Sequence, residues 1–245
     1  MADYLAALKL DKTEADSYYK FSQHNKTEQQ KVLEALLLTK TNWTPFAVAD
    51  IACGGGGLSL HLAELYPQAV FSLVDGNEDA VKSALEATSG INAICSVGDI
   101  YRIPLDAESQ DLVICWQTLS WLSKPELALR ELVRICKPGG LVLMSSLFNI
   151  EHDVDVYSTV VDHTRASSKL GGAYEYNTYS IHTVSRWISK VNAELRVHKF
   201  DMPINLQFDG RGLGTYTLAL KDGRLLQASA GMLLNWAVVE IEKNR

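Results

Sequence analysis

Within the 245-residue sequence, the run Asp50-Ile51-Ala52-Cys53-Gly54-Gly55-Gly56-Gly57 has the residue types to do chemistry with its backbone alone. A short apolar run ends at Asp50, small residues follow at 52, 54, 56 and 57, and a helical pattern begins at Leu58. That order sets main-chain amides at a helix amino terminus, and only residues this small let a ligand come close to them. Nineteen residues past Gly56, a second apolar run ends in Asp75-Gly76, where a carboxylate can accept two hydrogen bonds from a ribose diol. On its own the loop leaves two chemistries open. Ala52-x-Gly54-x-x-Gly57 also fits a dinucleotide fingerprint with alanine in first place.

Groups able to move a proton are fewer. His152, in Asn149-Ile150-Glu151-His152-Asp153, follows a strand at the carboxyl edge, where ligands gather in open α/β sheets, and is the candidate catalytic base. The competing reading is that Glu151, His152 and Asp153 begin a helix, whose dipole favours acidic residues there. His61 and His198 read as packing or surface residues, and nothing fixes the direction of His163 or His182. Tyr174-Glu175-Tyr176-Asn177-Thr178-Tyr179 has the rings and hydrogen-bonding groups that suit sugars, and equally those of an ordinary loop. Gly210-Arg211-Gly212-Leu213-Gly214 lacks the Gly-Lys-Ser/Thr of a phosphate loop and reads as a flexible turn.

Positioning these residues requires a layered fold. Between Phe46 and Leu147, short apolar runs alternate with longer helical patterns, the signature of a parallel sheet covered by helices on both faces. Strands are expected at 46–51, 69–74, 92–97, 111–115 and 141–146, and helices at 58–66, 79–88 and 126–136. Lys137-Pro138-Gly139-Gly140 is expected to stop the last helix and turn into the next strand. Beyond 147, the spacing of Val154, Tyr157, Val160 and Val161 predicts an amphipathic helix over 153–168. A helix over 182–191, a strand over 194–200, a β-hairpin of 216–220 and 224–228 about Lys221-Asp222-Gly223, and a last strand over 236–241 complete the reading. Ahead of the sheet, Asp16 to His24 is polar and aromatic; it is either an edge helix or a lid, with Tyr18, Tyr19 and His24 facing the question.

Four landmarks now stand in order: the glycine loop, Asp75, Gly98-Asp99-Ile100 with Ile103-Pro104-Leu105, and Asp111-Leu112-Val113-Ile114-Cys115 followed by Lys137-Pro138-Gly139-Gly140-Leu141. With these the chain resembles the class I S-adenosylmethionine-dependent methyltransferases, in particular those related to the ubiquinone and menaquinone C-methyltransferases, over about Val48 to Leu147. The resemblance implies a Rossmann-like, doubly wound α/β sheet of seven strands, mostly parallel with an antiparallel last strand. To this the chain adds an N-terminal helical lid and a C-terminal β-hairpin. It implies that Asp50, Ala52, Gly54 and Gly56 line the methionine end of S-adenosylmethionine, that Asp75 and Gly76 meet the ribose, and that Asp99 and Ile100 hold the adenine. Trp116 and Gln117 then lie beside the sulfonium, and Tyr19 covers the cofactor from the N-terminal segment. The residue-level alternatives are an N-cap for Asp99 and core packing for Trp116. Two departures stand out: Ala52 where the family usually has glycine, and Ser120-Trp121 where relatives often carry histidines.

Composition bounds the rest. A net charge of -6 and a pI near 5.5 disfavour a phosphate-gripping surface and so a nucleic-acid substrate. No basic-then-apolar leader and no long apolar run appear, so a cytoplasmic protein with no membrane partner is expected. Cys53, Cys95, Cys115 and Cys136 are too scattered for a zinc knuckle or redox dithiol, and no metal is expected. One domain over 1–245 is expected: 1–45 a helical segment or lid, 46–147 the cofactor core, 148–235 substrate recognition, 236–241 the final strand. The expected reaction is methyl transfer to an O or N atom of a small polar metabolite, with a sugar or biosynthetic intermediate as the preferred acceptor. The alternatives are C-methylation of a quinone-like or polyketide ring, or a regulatory protein that binds S-adenosylmethionine without turnover. The hairpin reads as a cover for the substrate or a subunit contact, which leaves room for a homodimer.

Overall fold

The computed structural model describes residues 12–161, 173–206, 216–229 and 232–244. Five parallel strands form its centre: β1 (Ala47–Ile51), β2 (Val70–Asp75), β3 (Ala93–Val97), β4 (Gln110–Trp116) and β5 (Cys136–Asn149). They lie in the order β3-β2-β1-β4-β5, so the chain reverses direction across the sheet between β1 and β4. A crevice at the carboxyl ends of strands on either side of such a reversal is the place where open α/β sheets take ligands. β12 (Met232–Lys243) runs antiparallel between β5 and β9 (Ala193–Phe200), closing a core of seven strands. Three additions bring the sheet to ten: β8 (Tyr179–Ser180) beside the end of β5, and β10 (Tyr216–Ala219) with β11 (Leu225–Ser229), the expected hairpin, against the start of β12.

Helices cover both faces, each begun by a local signal. α1 (Lys12–His24) precedes α2 (Glu28–Leu38), which opens on a reciprocal capping box between Thr27 and Gln30. α3 (Gly57–Leu65) follows β1, and α4 (Glu78–Ala87) starts on Asn77, whose side chain accepts from the Asp79 amide. α5 (Pro125–Ile135) has proline in its first turn, and α6 (Ile181–Ile188) is capped by Ser180 on the Thr183 amide. Leu33, Leu37, Leu58 and Leu62 of α2 and α3 pack on Val48, Leu112, Ile114, Leu143 and Val238 of one sheet face. On the other face Leu129, Leu132, Val184 and Trp187 of α5 and α6 meet Ala49, Val113, Met144, Ala237 and Val239.

Several expectations change. The turn expected at Lys137 to Gly140 is made as a bulge within the strand: β5 begins at Cys136, directly after α5, but its pairing with β4 jumps from Gln110–Cys136 to Leu112–Leu141, so residues 137–140 stand outside the ladder. Gly140 is needed there because a Cβ would lie 2.8 Å from the Asp111 carbonyl. Asp111 itself accepts from the Phe46 and Ala47 amides and from Lys137 Nζ, so this landmark braces the sheet at the edge opposite the glycine loop. The helix expected over 153–168 is absent from the described part, 153–161. Val156 bridges Thr178, and β6 (Thr159–Val160) pairs with β7 (Tyr174–Glu175). The apolar spacing misled because Val154, Tyr157 and Val161 are exposed rather than turned to a core. Residues 162–168, His163 and the Gly210–Gly214 turn lie outside the described residues. No helix among the described residues is long and apolar enough to cross a membrane.

Candidate cofactor site

β1 delivers Asp50 and the glycine loop to the carboxyl edge, and β2 delivers Asp75 beside them. The loop bends through left-handed backbone at Ala52 (φ 60°), Gly54 (φ 53°) and Gly56 (φ 78°). Ala52 holds that conformation although a Cβ disfavours it, which is a local cost. The amides of Ala52 and Cys53 both reach the Val74 carbonyl, at 2.7 and 3.2 Å, and the Gly56 amide returns to the Cys53 carbonyl at 3.0 Å. These donors are therefore spent inside the protein. The expectation of a row of ligand-facing amides does not hold for residues 52–54 and 56; the loop is a brace that shapes a cleft.

Asp75 is the keystone of that brace. Its Oδ2 accepts from the Gly54 amide and its Oδ1 from the Asn77 amide, both at 2.9 Å, so one carboxylate ties the glycine loop to the start of α4. It is 5% exposed, and burial pushes its pKa up against the opposing pull of the Asn77, Gly54 and Gly76 amides. Asp50 is more deeply buried and accepts a 2.7 Å bond from Ser59 in α3. Burial, partly offset by Ser59 and reinforced by Asp75, pushes its pKa up to about 7. Two buried carboxylates, both with raised pKa, thus flank the loop, an arrangement that favours a ligand bringing positive charge. Burial also pushes the Cys53 thiol far up, which removes it as a nucleophile.

α1 packs directly on this loop, a placement the sequence left between edge helix and lid. A Cβ on Gly55 would stand 2.6 Å from Tyr19 Cβ, and one on Gly57 would stand 2.5 Å from the Ser22 carbonyl oxygen. Two of the four glycines are therefore small for the sake of α1 and not for a ligand. Gln23 Nε2 donates to the Gly55 carbonyl at 2.8 Å, and His61 of α3 meets the Ser22 carbonyl at 3.1 Å, a packing role as expected. Tyr19 is buried with its ring edge facing Gly54, while Tyr18 is exposed. Ser22, Gln23 and Ser59 escaped the sequence reading; only the run of four glycines, longer than a ligand needs, hinted at a helix seated on them.

The remaining residues divide. Asp99 Oδ1 accepts from the Tyr101 amide at 2.9 Å, the turn-capping reading, and Ile100 is buried beside it. Glu131 and Arg134 of α5 bond the Ile103 and Leu105 backbone and hold this loop in place. Trp116 ends β4 half-buried, its Nε1–H buried without an acceptor. Gln117, left-handed at φ 57°, bonds Ser145 through both its amide and its side chain. Asp50, Ala52, Gly54, Gly56, Asp75, Gly76, Trp116, Gln117 and Tyr19 thus gather at adjoining strand ends. His152 does not join them. It is exposed on a bend after β5, and Glu151, His152 and Asp153 start no helix; Glu151 instead pairs with Lys199. Tyr174 and Tyr176 stack about Trp121, centroids 5.6 and 4.7 Å away, while Asn177 and Tyr179 are core residues bonded to each other.

Comparison with known proteins agrees with this geometry. The family described as Methyltransferase domain matches residues 48–140, from the buried start of β1 to Gly140 in β5. Residues 48–140 thus carry a methyltransferase domain. A malonyl-[acyl-carrier protein] O-methyltransferase of Hahella chejuensis is 29% identical over 119 residues, covering 49% of this chain and 43% of that protein, so the match spans less than half the relative's length. A methyltransferase of Aquifex aeolicus superposes with a TM-score of 0.56 at 15% identity, over 95% of this chain and 99% of that one. An N-methyltransferase of Haemonchus contortus, solved with phosphomonomethylethanolamine and S-adenosylhomocysteine, superposes at 0.67 and 14% identity, over 100% and 60%. At such identities the two structures speak for the fold of the methyltransferase domain alone.

Proposed function

We propose that this protein transfers the methyl group of S-adenosylmethionine to an oxygen or nitrogen of a small molecule. The observation that carries the reading is the pair Asp50 and Asp75, buried on either side of a loop held in left-handed backbone. A cofactor with a cationic amino-acid end and a ribose diol matches that pair: Asp50 lies on the side of α3, and Asp75 keeps lone pairs beyond its two amide bonds. Ala52, Gly54 and Gly56 would give it room, Asp99 and Ile100 would bound the adenine, Gly76 would adjoin the ribose, and Trp116 with Gln117 would flank the sulfonium. Tyr19, against Gly54, would cover it.

When bound, the cofactor supplies a methyl on a sulfonium that needs no further activation. The chain's part is to orient: an aromatic face such as Trp116 beside the positive charge contributes on the order of 0.5 to 2 kcal/mol, and alignment of the acceptor supplies much of the rest. His152 is left out of the machinery because its exposed position holds no acceptor in a dry site. An acceptor atom with its lone pair already free at neutral pH, such as an ionised oxygen, then needs no base. The O-methyltransferase name of the Hahella chejuensis relative supports oxygen. The sugar preference loses its basis, since Asn177 and Tyr179 of the aromatic segment are buried in core bonding.

Two measurements test the reading. Calorimetric titration with S-adenosylhomocysteine should give saturable one-site binding; no binding sinks the cofactor assignment. Incubation with deuteromethyl-labelled cofactor and cell extract should yield a mass-shifted small molecule. Binding without any labelled product across extracts would instead assign a non-catalytic binding protein.

A further inference from the structure

Among the described residues, three buried side-chain donors with neither an acceptor nor an ion-pair partner share one face of the sheet, the Nε1–H groups of Trp116 and Trp236 and the Nε2 amide of Gln227; a fourth buried nitrogen on that face, His198 Nε2, stands 3.7 Å from Glu240 Oε2. Trp236 is 7% and Gln227 1% exposed. Their placement follows from register. Trp116 pairs with Ser145 on β5, Leu147 two residues further along β5 pairs with Trp236, and Gln227 on β11 pairs with position 234, two before Trp236. Because side chains repeat with period two along a strand, Trp116, Leu147, Trp236 and Gln227 project to the same side, the side of α2 and α3. Phe200, opposite Trp236 on β9, joins Leu147, Met202 and Trp236 in a small apolar cluster of its own. From Trp116 to Trp236 is two strand spacings across and two residues along, roughly 12 Å between the backbones.

A buried donor left unpaired is costly and uncommon, and three on one face next to the cofactor end of β4 call for a partner. We infer that this face holds the non-reacting part of the acceptor molecule, an apolar body with a neutral carbonyl such as an ester, thioester or ketone, the oxygen or nitrogen that takes the methyl being a separate group of the same molecule. The inference rests on the methyltransferase reading above and specifies its substrate class. The unpaired atoms are all N–H donors, so the ligand must bring acceptor oxygens to meet them. None carries charge, and the basic groups around this face are engaged: Arg196 of β9 pairs with Glu240 and Glu242, His198 of β9 stands 3.7 Å from Glu240, and Lys40, just beyond α2, pairs with Glu240. A carboxylate buried here would stand without a counter-charge, whereas a neutral carbonyl accepts the same bonds with far less loss of hydration. Leu147, Met202 and Phe200 supply the wall for the carbon chain.

The test uses 15N-labelled protein saturated with S-adenosylhomocysteine, its five tryptophan indole resonances assigned with Trp→Phe variants. Titration with 2-heptanone should move the Trp236 indole N–H downfield, with hexanoate at the same concentration moving it far less. Trp236→Phe and Gln227→Leu should each weaken ketone binding about tenfold, the loss of one buried hydrogen bond. Both should bind S-adenosylhomocysteine as the wild type does, and ketone binding is compared well below the melting temperature of each variant, because Trp236→Phe also leaves a cavity beside Leu147 and Met202. An unmoved Trp236 indole, tighter binding of hexanoate, or variants that bind the ketone unchanged would overturn the inference. If S-adenosylhomocysteine itself fails to bind, the cofactor assignment falls separately, and titration of the ligand-free protein with the ketone still decides this face.

Discussion

At the scale of single residues, Asp75 has two duties that a simple deletion would confuse. It braces Gly54 and Asn77, and it is proposed to receive the ribose hydroxyls. Asp75→Asn retains the shape but turns a donor toward one of the two amides. We expect S-adenosylhomocysteine to bind it roughly 10- to 100-fold more weakly, the loss of a charge-assisted bond worth about 1.5 to 3 kcal/mol. Calorimetry with the 2′,3′-dideoxy analogue separates the duties: wild-type protein that binds the analogue as tightly as the parent leaves Asp75 with bracing alone. The sequence made Asp50 and Asp75 legible because each closes an apolar run. It could not show that their pKa values rise, since that follows from burial contributed by α1, α3 and α4, far along the chain or ahead of it.

At the scale of elements, the glycine run is as much a seat for α1 as a cleft for a ligand. Gly55→Ala should therefore act through the helix: a methyl 2.6 Å from Tyr19 Cβ cannot be absorbed by the far end of a flexible side chain. We expect destabilisation of about 1 to 3 kcal/mol, read by thermal unfolding, and faster proteolytic cleavage within 12–24. Gly90→Ala, with open space around its added methyl, should change neither. Cleavage of Gly55→Ala no faster than wild type would show that α1 accommodates the methyl by shifting as a unit. The parallel core was legible from alternation, as were the hairpin and α6, because strand and helix periods are local properties of sequence. The segment after β5 was not. Its order comes from long-range polar bonds: Asp155 accepts from Ser180 and Thr183, and Asn177 accepts from the Ser158 amide and donates to Tyr179, none of which leaves a periodic trace.

At the scale of the whole molecule, buried carboxylates of opposite character set how stability responds to pH. Asp50, with a folded value of about 7, stands well above the unfolded value of about 3.9, so its contribution is full below about pH 4 and is lost as pH rises through about 7. Asp75 is raised as well and acts in the same sense. Glu240 acts in the opposite sense. Burial pushes its pKa up, but Lys40 at 2.8 Å and Arg196 at 2.9 Å outweigh that and hold it below its ordinary value. Its contribution is present above the unfolded value of about 4.3 and is lost as pH falls through the folded one, reduced by the solvent exposure of both cations. The two limbs place the largest combined contribution of these groups at about pH 4 to 5, where Glu240 is ionised and Asp50 has lost least, with a decline from there to about pH 7. Thermal unfolding across that range should show the optimum, and Asp50→Asn should flatten the decline on its alkaline side. With the proposed cofactor placement, the amino group of S-adenosylhomocysteine favours ionised Asp50, so the ligand should raise the melting temperature more at pH 8 than at pH 6. A wild-type profile that matches Asp50→Asn, with or without ligand, would mean that Asp50 is ionised throughout and that charge at the loop does not couple to binding.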